Sequence, residues 1–227
     1  DKPRPQQGPA LLPAQDSAVA AITSDLGRFR CHLLDGITGS GKTEVYLRLL
    51  EQVLGNGGQA LVMVPEIGLT PQLLRRFRSR LGLEPAVLHS GLAASERLQA
   101  WDAARTGRAA LVVGTRSALF TPMPRLELII LDEEHDASFK QQDGFRYSAR
   151  DVAVKRAADL QVPVVLGSAT PSLESLSNAL DGRYQWHRLR ERATQALLPS
   201  WRILDVRHQD VSSGLASTAS SPKLMAC

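Results

Sequence analysis

Short unbroken apolar runs alternate along this chain with longer stretches in which apolar residues recur every third or fourth position. The runs are Cys31 to Leu34, Ala60 to Val64, Ala86 to Leu88, Ala109 to Val113, Leu126 to Leu131 and Val162 to Leu166. A strand covered on one side alternates polar and apolar residues, whereas a run such as Leu61-Val62-Met63-Val64 suits a strand buried on both faces, as in a parallel sheet. Between Thr43 and Leu54 the apolar residues fall at 45, 46, 49, 50, 53 and 54, the spacing of one helical face. Gln15 to about Leu26, with Ala18, Val19, Ile22 and Leu26 in register, reads as a helix too, and Leu69 to Leu81, Ala94 to Arg105, Ala149 to Leu160 and Leu173 to Leu180 behave similarly. Strand alternating with helix predicts a doubly wound α/β domain with a mostly parallel sheet.

The flanks break this pattern. Residues 1–13 are rich in Pro and Gln and read as a flexible arm. Beyond Leu180 the periodicity weakens: Arg183 to Arg192 is basic and aromatic, Trp201 to Val206 reads as one more strand, and Ser212 to Ser221 is Ser, Ala and Thr-dominated and is expected to be disordered. No stretch approaches the ~18 consecutive apolar residues of a membrane span. The opening Asp1-Lys2-Pro3-Arg4-Pro5 is no secretory signal. Cys31 and Cys227 form neither a disulfide framework nor a zinc site with paired spacing, so a reduced, cytoplasmic setting is the expectation. With 27 Lys+Arg against 23 Asp+Glu, the net charge of +4 is compatible with a polyanionic partner but does not select one.

Chemistry enters at Gly36-Ile37-Thr38-Gly39-Ser40-Gly41-Lys42-Thr43, which matches the phosphate-binding loop G-x-x-x-x-G-K-[ST]. Its glycines let backbone N–H groups turn inward toward phosphate oxygens. The following helix adds its positive N-terminal end. In such a loop Lys42 reaches the β- and γ-phosphates of ATP and the Thr43 hydroxyl ligates Mg²⁺. The loop alone does not separate a motor from a small-molecule kinase.

Leu128-Ile129-Ile130-Leu131 ends abruptly in Asp132-Glu133-Glu134-His135. Ligands of open α/β sheets sit at the carboxyl ends of strands, where Asp132 can hold Mg²⁺ and Glu133 can polarise an attacking water as general base. Val164-Val165-Leu166-Gly167-Ser168-Ala169-Thr170-Pro171 follows, with the Ser168 and Thr170 hydroxyls placed to hydrogen-bond the acids and relay nucleotide state. An acidic loop or a Ser/Thr turn is commonplace by itself. The phosphate loop on the same sheet gives both a purpose.

Phosphate loop, D-E-x-H and S-A-T in this order resemble the helicases of superfamily two. Further segments are similar to the PriA family, the bacterial primosomal replication-restart helicases: Pro65-Glu66-Ile67-Gly68-Leu69-Thr70-Pro71-Gln72, Leu88-His89-Ser90-Gly91-Leu92, Gly114-Thr115-Arg116-Ser117-Ala118-Leu119-Phe120, and Phe139-Lys140-Gln141-Gln142-Asp143-Gly144-Phe145-Arg146-Tyr147. The resemblance runs from about Gln15 to about Gln209.

It implies a P-loop NTPase lobe of RecA-like fold over 14–182, then a passage over 183–211 toward a second lobe and a tail over 212–227. It also implies an ATP-hydrolysing 3′-to-5′ DNA helicase or translocase, with ATP and Mg²⁺ as cofactors and forked or single-stranded DNA and replication-restart proteins as partners. Lys42, Asp132, Glu133 and His135 take the catalytic positions, Thr43 and Asp132 the metal positions, and Gln15 resembles the glutamine that reads the adenine edge. Gly36, Thr38, Gly39, Ser40 and Gly41 complete the nucleotide site, and Ser168, Ala169 and Thr170 the coupling segment. Pro65, Glu66, His89, Ser90, Gly114, Thr115, Arg116 and Ser117 match segments that face DNA. Phe139, Lys140, Phe145, Arg146 and Tyr147 resemble the aromatic-rich loop that links single-strand binding to hydrolysis. Aromatics stack on unpaired bases while cations hold the backbone.

The family's N-terminal DNA-binding domain, zinc-binding cysteines and second lobe with its arginine finger have no counterpart here. The expectation is therefore a truncated or frame-shifted product that binds nucleotide better than it hydrolyses it. A catalytically incomplete nucleotide- and DNA-binding module needing a second lobe is the other reading.

Overall fold

A computed structural model describes residues 8–142 and 144–193. The first seven residues of the Pro-rich arm, Asp143, the strand read over Trp201 to Val206, the passage from residue 194 to 211, and the tail with Cys227 lie outside the described residues. In chain order the elements are α1 (Pro13–Ser24), β1 (Arg30–Gly36), α2 (Lys42–Gly55), β2 (Gln59–Met63), α3 (Pro71–Leu81), β3 (Ala86–Leu88), α4 (Ala94–Arg105), β4 (Leu111–Gly114), β5 (Leu126–Asp132), β6 (Lys140–Gln141), β7 (Tyr147–Ser148), α5 (Ala149–Leu160), β8 (Pro163–Ser168), α6 (Leu173–Leu180) and β9 (Gln185–Leu189).

Seven strands form one sheet in the order β3-β4-β2-β5-β8-β1-β9. Every pairing in it is parallel. The pleat sends successive side chains to opposite faces. On β5, Leu128 and Ile130 join a core cluster with Ala18 and Ile22 of α1, Leu49, Leu50 and Val53 of α2, and Phe77 of α3. Ile129 and Leu131 join the cluster on the other face, where Ala149, Ala153 and Ala157 recur every fourth residue along α5. These alanines let α5 lie close against the sheet. The doubly wound parallel sheet predicted from the unbroken apolar runs is thus the fold observed.

Helix starts follow local chemistry. Pro13 stands at the first position of α1, where its missing N–H costs nothing. That places α1 two residues earlier than the apolar spacing indicates. Thr70, Ser148 and Ser172 cap α3, α5 and α6 by accepting from backbone N–H groups of Leu73, Asp151 and Ser175.

Two features escape the sequence pattern. Strand β9 lies inside the basic and aromatic stretch 183–192 and, among the described residues, pairs only with β1, so as an edge strand it carries polar residues at half-buried positions. The antiparallel pair β6–β7 is two residues long on each side, too short for any periodicity.

At the amino end of β1, His32 is fully enclosed. Its Nδ1 lies 3.1 Å from His187 Nε2 of β9, and its Nε2 lies 3.3 Å from the buried Asp25 carboxylate. Burial, reinforced by His187, pushes His32 down from its ordinary 6.5 to about 3. Between those values the unfolded chain takes up a proton that the folded chain refuses. The stability His32 contributes is therefore complete above pH 6.5 and is lost as pH falls toward 3. Thermal midpoints of the wild type should decline through that window, and His32→Gln should flatten the decline. An identical acid limb in both proteins would contradict the assignment.

Candidate nucleotide site and nucleic-acid face

Because every strand of the main sheet runs the same way, the loops leaving their carboxyl ends gather along one edge. The phosphate loop joins β1 to α2. Gly39 and Gly41 adopt φ of +81° and +82°, which side chains disfavour. Gly41 is the N-cap of α2, so the unpaired N–H groups of the helix's first turn open onto the loop. Thr38 and Gly39 are exposed, Thr43 is half-buried, and Ser40 is buried with its Oγ lacking a hydrogen-bond partner among the described residues.

Lys42 Nζ donates to the Gly36 carbonyl at 3.0 Å and stands 3.5 Å from Glu133 Oε1. The loop is braced from behind. Gln15, only 2% exposed, donates its Nε2 to the Ser40 carbonyl at 2.7 Å while its Oε1 accepts from Leu12 N. Ala193 N donates to the Gly39 carbonyl, and Ile37 N to that of Leu189.

Asp132 ends β5 opposite Gly167 of β8. Tyr46, buried on α2, donates its hydroxyl to Asp132 Oδ1 at 2.8 Å. A Cβ at Gly167 would stand 1.7 Å from that hydroxyl, so only glycine lets Tyr46 reach the acid. Burial raises the Asp132 carboxyl above its ordinary range; the Tyr46 hydrogen bond opposes the rise, Glu133 adds to it, and Lys42 works against it. Glu133 itself adopts φ of +51°, a left-handed conformation costly for a residue with a side chain. That turn aims its carboxylate between Lys42 and His135, whose Nδ1 is 3.6 Å from Glu133 Oε2.

His135 connects the acids to β8. Its Nδ1 pairs with Ser168 Oγ at 2.7 Å and its Nε2 with Thr170 Oγ1 at 3.3 Å, while Ala169 is the half-buried residue between them. The D-E-x-H and S-A-T segments are thus in direct contact. A cleft of about 530 Å³ adjoins them, lined by Thr43, Asp132, Glu133, His135, Pro65 and Arg76 among others. A larger hollow of about 970 Å³ lies against β3 and α4, and no motif residue lines it.

The segments matched to DNA contacts line the same sheet edge. Glu66, following β2, accepts from Ser90 Oγ beyond β3 at 3.1 Å, and His89 Nδ1 accepts from Gly91 N. Gly114 and Thr115 are buried at the end of β4, where a Cβ on Gly114 would meet the Leu88 carbonyl at 2.4 Å. Ser117 is exposed. Arg116 Nη1 donates to the Ser138 and Lys140 carbonyls at 3.0 and 3.1 Å, tying this segment to the aromatic loop.

Within that loop the reading of Phe139 as a base-facing aromatic is corrected. Phe139 is 2% exposed and packed in the core beneath the sheet edge, where no base can reach it. The aromatic surface is instead formed by exposed Phe145 and Phe120 with the half-buried Tyr147: ring centroids of Phe120 and Tyr147 are 5.3 Å apart edge-to-face, and those of Phe145 and Tyr147 are 6.2 Å apart. Lys140 and Arg146 are exposed beside them.

Sequence reasoning missed Tyr46, counted as one more apolar residue of α2, although a buried tyrosine hydroxyl demands a partner. It also missed Phe120 as part of the aromatic surface, Gly167, and the burial of Glu134, which nothing in the D-E-E-H string announces.

A phosphate loop, a strand-end acid pair and an S-A-T turn on one sheet edge define a P-loop NTPase lobe of the helicase type. The chain matches the family model described as DEAD/DEAH box helicase over residues 12–179, and it belongs to that family. Within it the similarity is to the proteins named replication restart protein PriA. That of Haemophilus influenzae is 52% identical over 188 residues, which is 83% of this chain and 26% of that protein. That of Bacillus subtilis is 45% identical over 203 residues, 87% of this chain and 25% of that protein. The chain therefore spans about a quarter of the length of the curated relatives it matches. Among solved structures, RecG bound to a three-way DNA junction superposes with a TM-score of 0.59 at 24% identity, covering 83% of this chain and 25% of that one. The Pyrococcus furiosus Hef helicase domain gives 0.56 at 24% identity, covering 79% of this chain and 38% of that one. These likenesses establish the fold: a RecA-like helicase lobe.

The Tyr46 bond to Asp132 carries an expected outcome. A hydrogen bond to a charged group contributes ~1.5–3 kcal/mol, so Tyr46→Phe should destabilise the fold by about that much. Urea unfolding of the two proteins measures this; an unchanged midpoint would show that the hydroxyl is only a packing element.

Proposed function

We propose that this chain is the ATP-binding motor lobe of a 3′-to-5′ DNA helicase or translocase of replication restart, acting on forked or single-stranded DNA with other restart proteins. The observation that carries the reading is one sheet edge that holds Lys42, Asp132 and Glu133, with His135 bonded to Ser168 and Thr170 beside them, and that also carries an aromatic and cationic loop. A cytoplasmic setting goes with the restart role.

The residues present fit ATP and Mg²⁺. The buried, unpartnered Ser40 Oγ and the left-handed Gly39 and Gly41 belong to a loop shaped for an anion, and Lys42 is held at its mouth. Lys42 exchanges its Gly36 and Glu133 partners for β- and γ-phosphate oxygens. Thr43 and Asp132 would hold Mg²⁺, which when bound neutralises charge on the β- and γ-phosphates. Glu133 orients and deprotonates water, with His135 fixing its carboxylate. Gln15, whose amide is bonded to Ser40 and Leu12 in this structure, exchanges those partners for the adenine edge when nucleotide is bound. Ser168 and Thr170 transmit the outcome to the DNA face, where Phe145, Tyr147, Lys140, Arg146, Ser117, His89 and Ser90 meet the strand.

The test is ATP binding and turnover by the chain with and without forked DNA, with Lys42→Ala as the control. Nucleotide affinity should fall at least ten-fold in Lys42→Ala, the loss of a charge-assisted contact to phosphate. DNA affinity should be measurable at low salt and should weaken as salt rises. Binding of both ligands without turnover would assign the chain as a nucleotide- and DNA-binding module that needs a second lobe. Normal nucleotide affinity in Lys42→Ala, together with no DNA affinity, would end the helicase reading.

A further inference from the structure

Resting on that reading, we propose that Arg150 and Glu134 are positioning residues that link the aromatic loop to the acidic and Ser168–Thr170 loops, so that strand binding and nucleotide binding alter one another through this pair. Neither residue has a part in the nucleotide chemistry described above. Their placement is what sets them apart. Glu134 lies between Glu133 and His135, Ser172 follows Thr170 by two residues, and Arg150 follows Tyr147 by three. One buried cluster therefore joins the three segments at which acid chemistry, nucleotide sensing and base contact take place.

The cluster is closely bonded. The Glu134 side chain is wholly buried, and its backbone N donates to the Gly167 carbonyl at 3.0 Å, fixing it beside β8. Oε1 accepts from Ser172 N at 2.7 Å. Oε2 accepts from Ser172 Oγ at 3.1 Å, from Ser175 Oγ at 2.9 Å and from Arg150 Nη1 at 3.4 Å. Arg150 Nη1 also donates to Ser172 Oγ at 2.7 Å, and its Nε donates to Asp151 at 2.9 Å.

A buried ion pair is a poor way to stabilise a fold, because desolvation takes back much of the attraction. The same pair is a good way to make geometry sharp. If Arg150 moves, Glu134 keeps its neutral donors but is left charged away from water without its cation, a penalty steep enough to keep the three segments in step. The element most able to move Arg150 is the loop before it. The β6–β7 pair is held by two-residue strands, and Phe145, 83% exposed, packs toward Tyr147 on the last of them. A base stacking on Phe145 and Tyr147 pulls on Ser148 and Ala149, and hence on the first turn of α5 where Arg150 stands. At the loop's other end, Arg116 grips the Ser138 and Lys140 carbonyls, which confines the displacement to the α5 side.

The proposal is tested by linkage, without requiring turnover. Affinity of the full chain for a fluorescent, non-hydrolysable ATP analogue with Mg²⁺ is measured with and without an oligothymidylate strand, for wild type, Arg150→Lys and Glu134→Gln. Arg150→Lys keeps charge but loses the planar fork, and Glu134→Gln keeps shape but loses charge. Wild type should show coupling of about five-fold or more, the ordinary lower range for linked sites. Both variants should bring it to within about two-fold of none, while the affinity for each ligand alone changes less than about two-fold. If either variant melts far below wild type, the double variant Arg150→Met with Glu134→Gln, which strands no buried charge, takes its place. Coupling retained in the variants would reduce the pair to a structural cap of α6 and overturn the proposal. So would loss of analogue affinity in the absence of DNA, or a wild type that binds both ligands without coupling. A wild type that binds neither ligand would instead overturn the helicase reading itself, and the proposal with it.

Discussion

Everything at this site depends on the register of three adjacent parallel strands. Asp132 of β5 lies opposite Gly167 of β8, and Ser168 of β8 lies opposite Asp35 of β1, the residue before Gly36. The phosphate loop, the acids and the S-A-T turn therefore leave the sheet at one level, within side-chain reach of one another. A slip of one residue on β8 would turn Ser168 to the other face and put a side chain against Tyr46. The register is held by burial on both sides, since β5, β8 and β1 are packed by the two core clusters along most of their length. The fold's stability and the site's geometry are thus one constraint.

What the register brings together is electrostatically uneasy. Asp132 sits in surroundings that disfavour its charge, Glu133 is held in a left-handed backbone, and Lys42 divides itself between a carbonyl and a carboxylate. In the proposed function, a polyphosphate and a divalent cation sharing the site would offset the cost of these unevenly met charges. Glu134 marks the contrast. It is more deeply buried than Asp132 or Glu133, yet its oxygens are met by Ser172, Ser175 and Arg150. Adjacent acids on one turn thus differ, through their partners alone, in how fully their charge is met.

Much of this was legible in the chain. Unbroken apolar runs gave the two-faced parallel sheet, and the helical spacing of Thr43 to Leu54 gave the helix behind the phosphate loop. Motif residues landed at the strand ends because strand-end placement is intrinsic to the fold. What stayed hidden depends on partners distant in sequence. Tyr46 and Asp132 are 86 positions apart, and Glu134 meets Ser172 across 38. Phe139 reads like Phe145, and only the path of the chain puts one in the core and the other at the surface. Strand β9 was obscured because an edge strand need not be apolar on every residue.

The most direct test of the account is hydrogen–deuterium exchange of the chain with and without an ATP analogue and Mg²⁺. If the sheet edge works as one unit, nucleotide should slow exchange in the phosphate loop, in the acidic turn and around Ser168 to Ser172, and the effect should extend to the start of α5. The hollow between β3 and α4 should exchange unchanged. Protection confined to the phosphate loop would contradict a connected edge, and protection centred on α4 would place the nucleotide in the wrong site altogether.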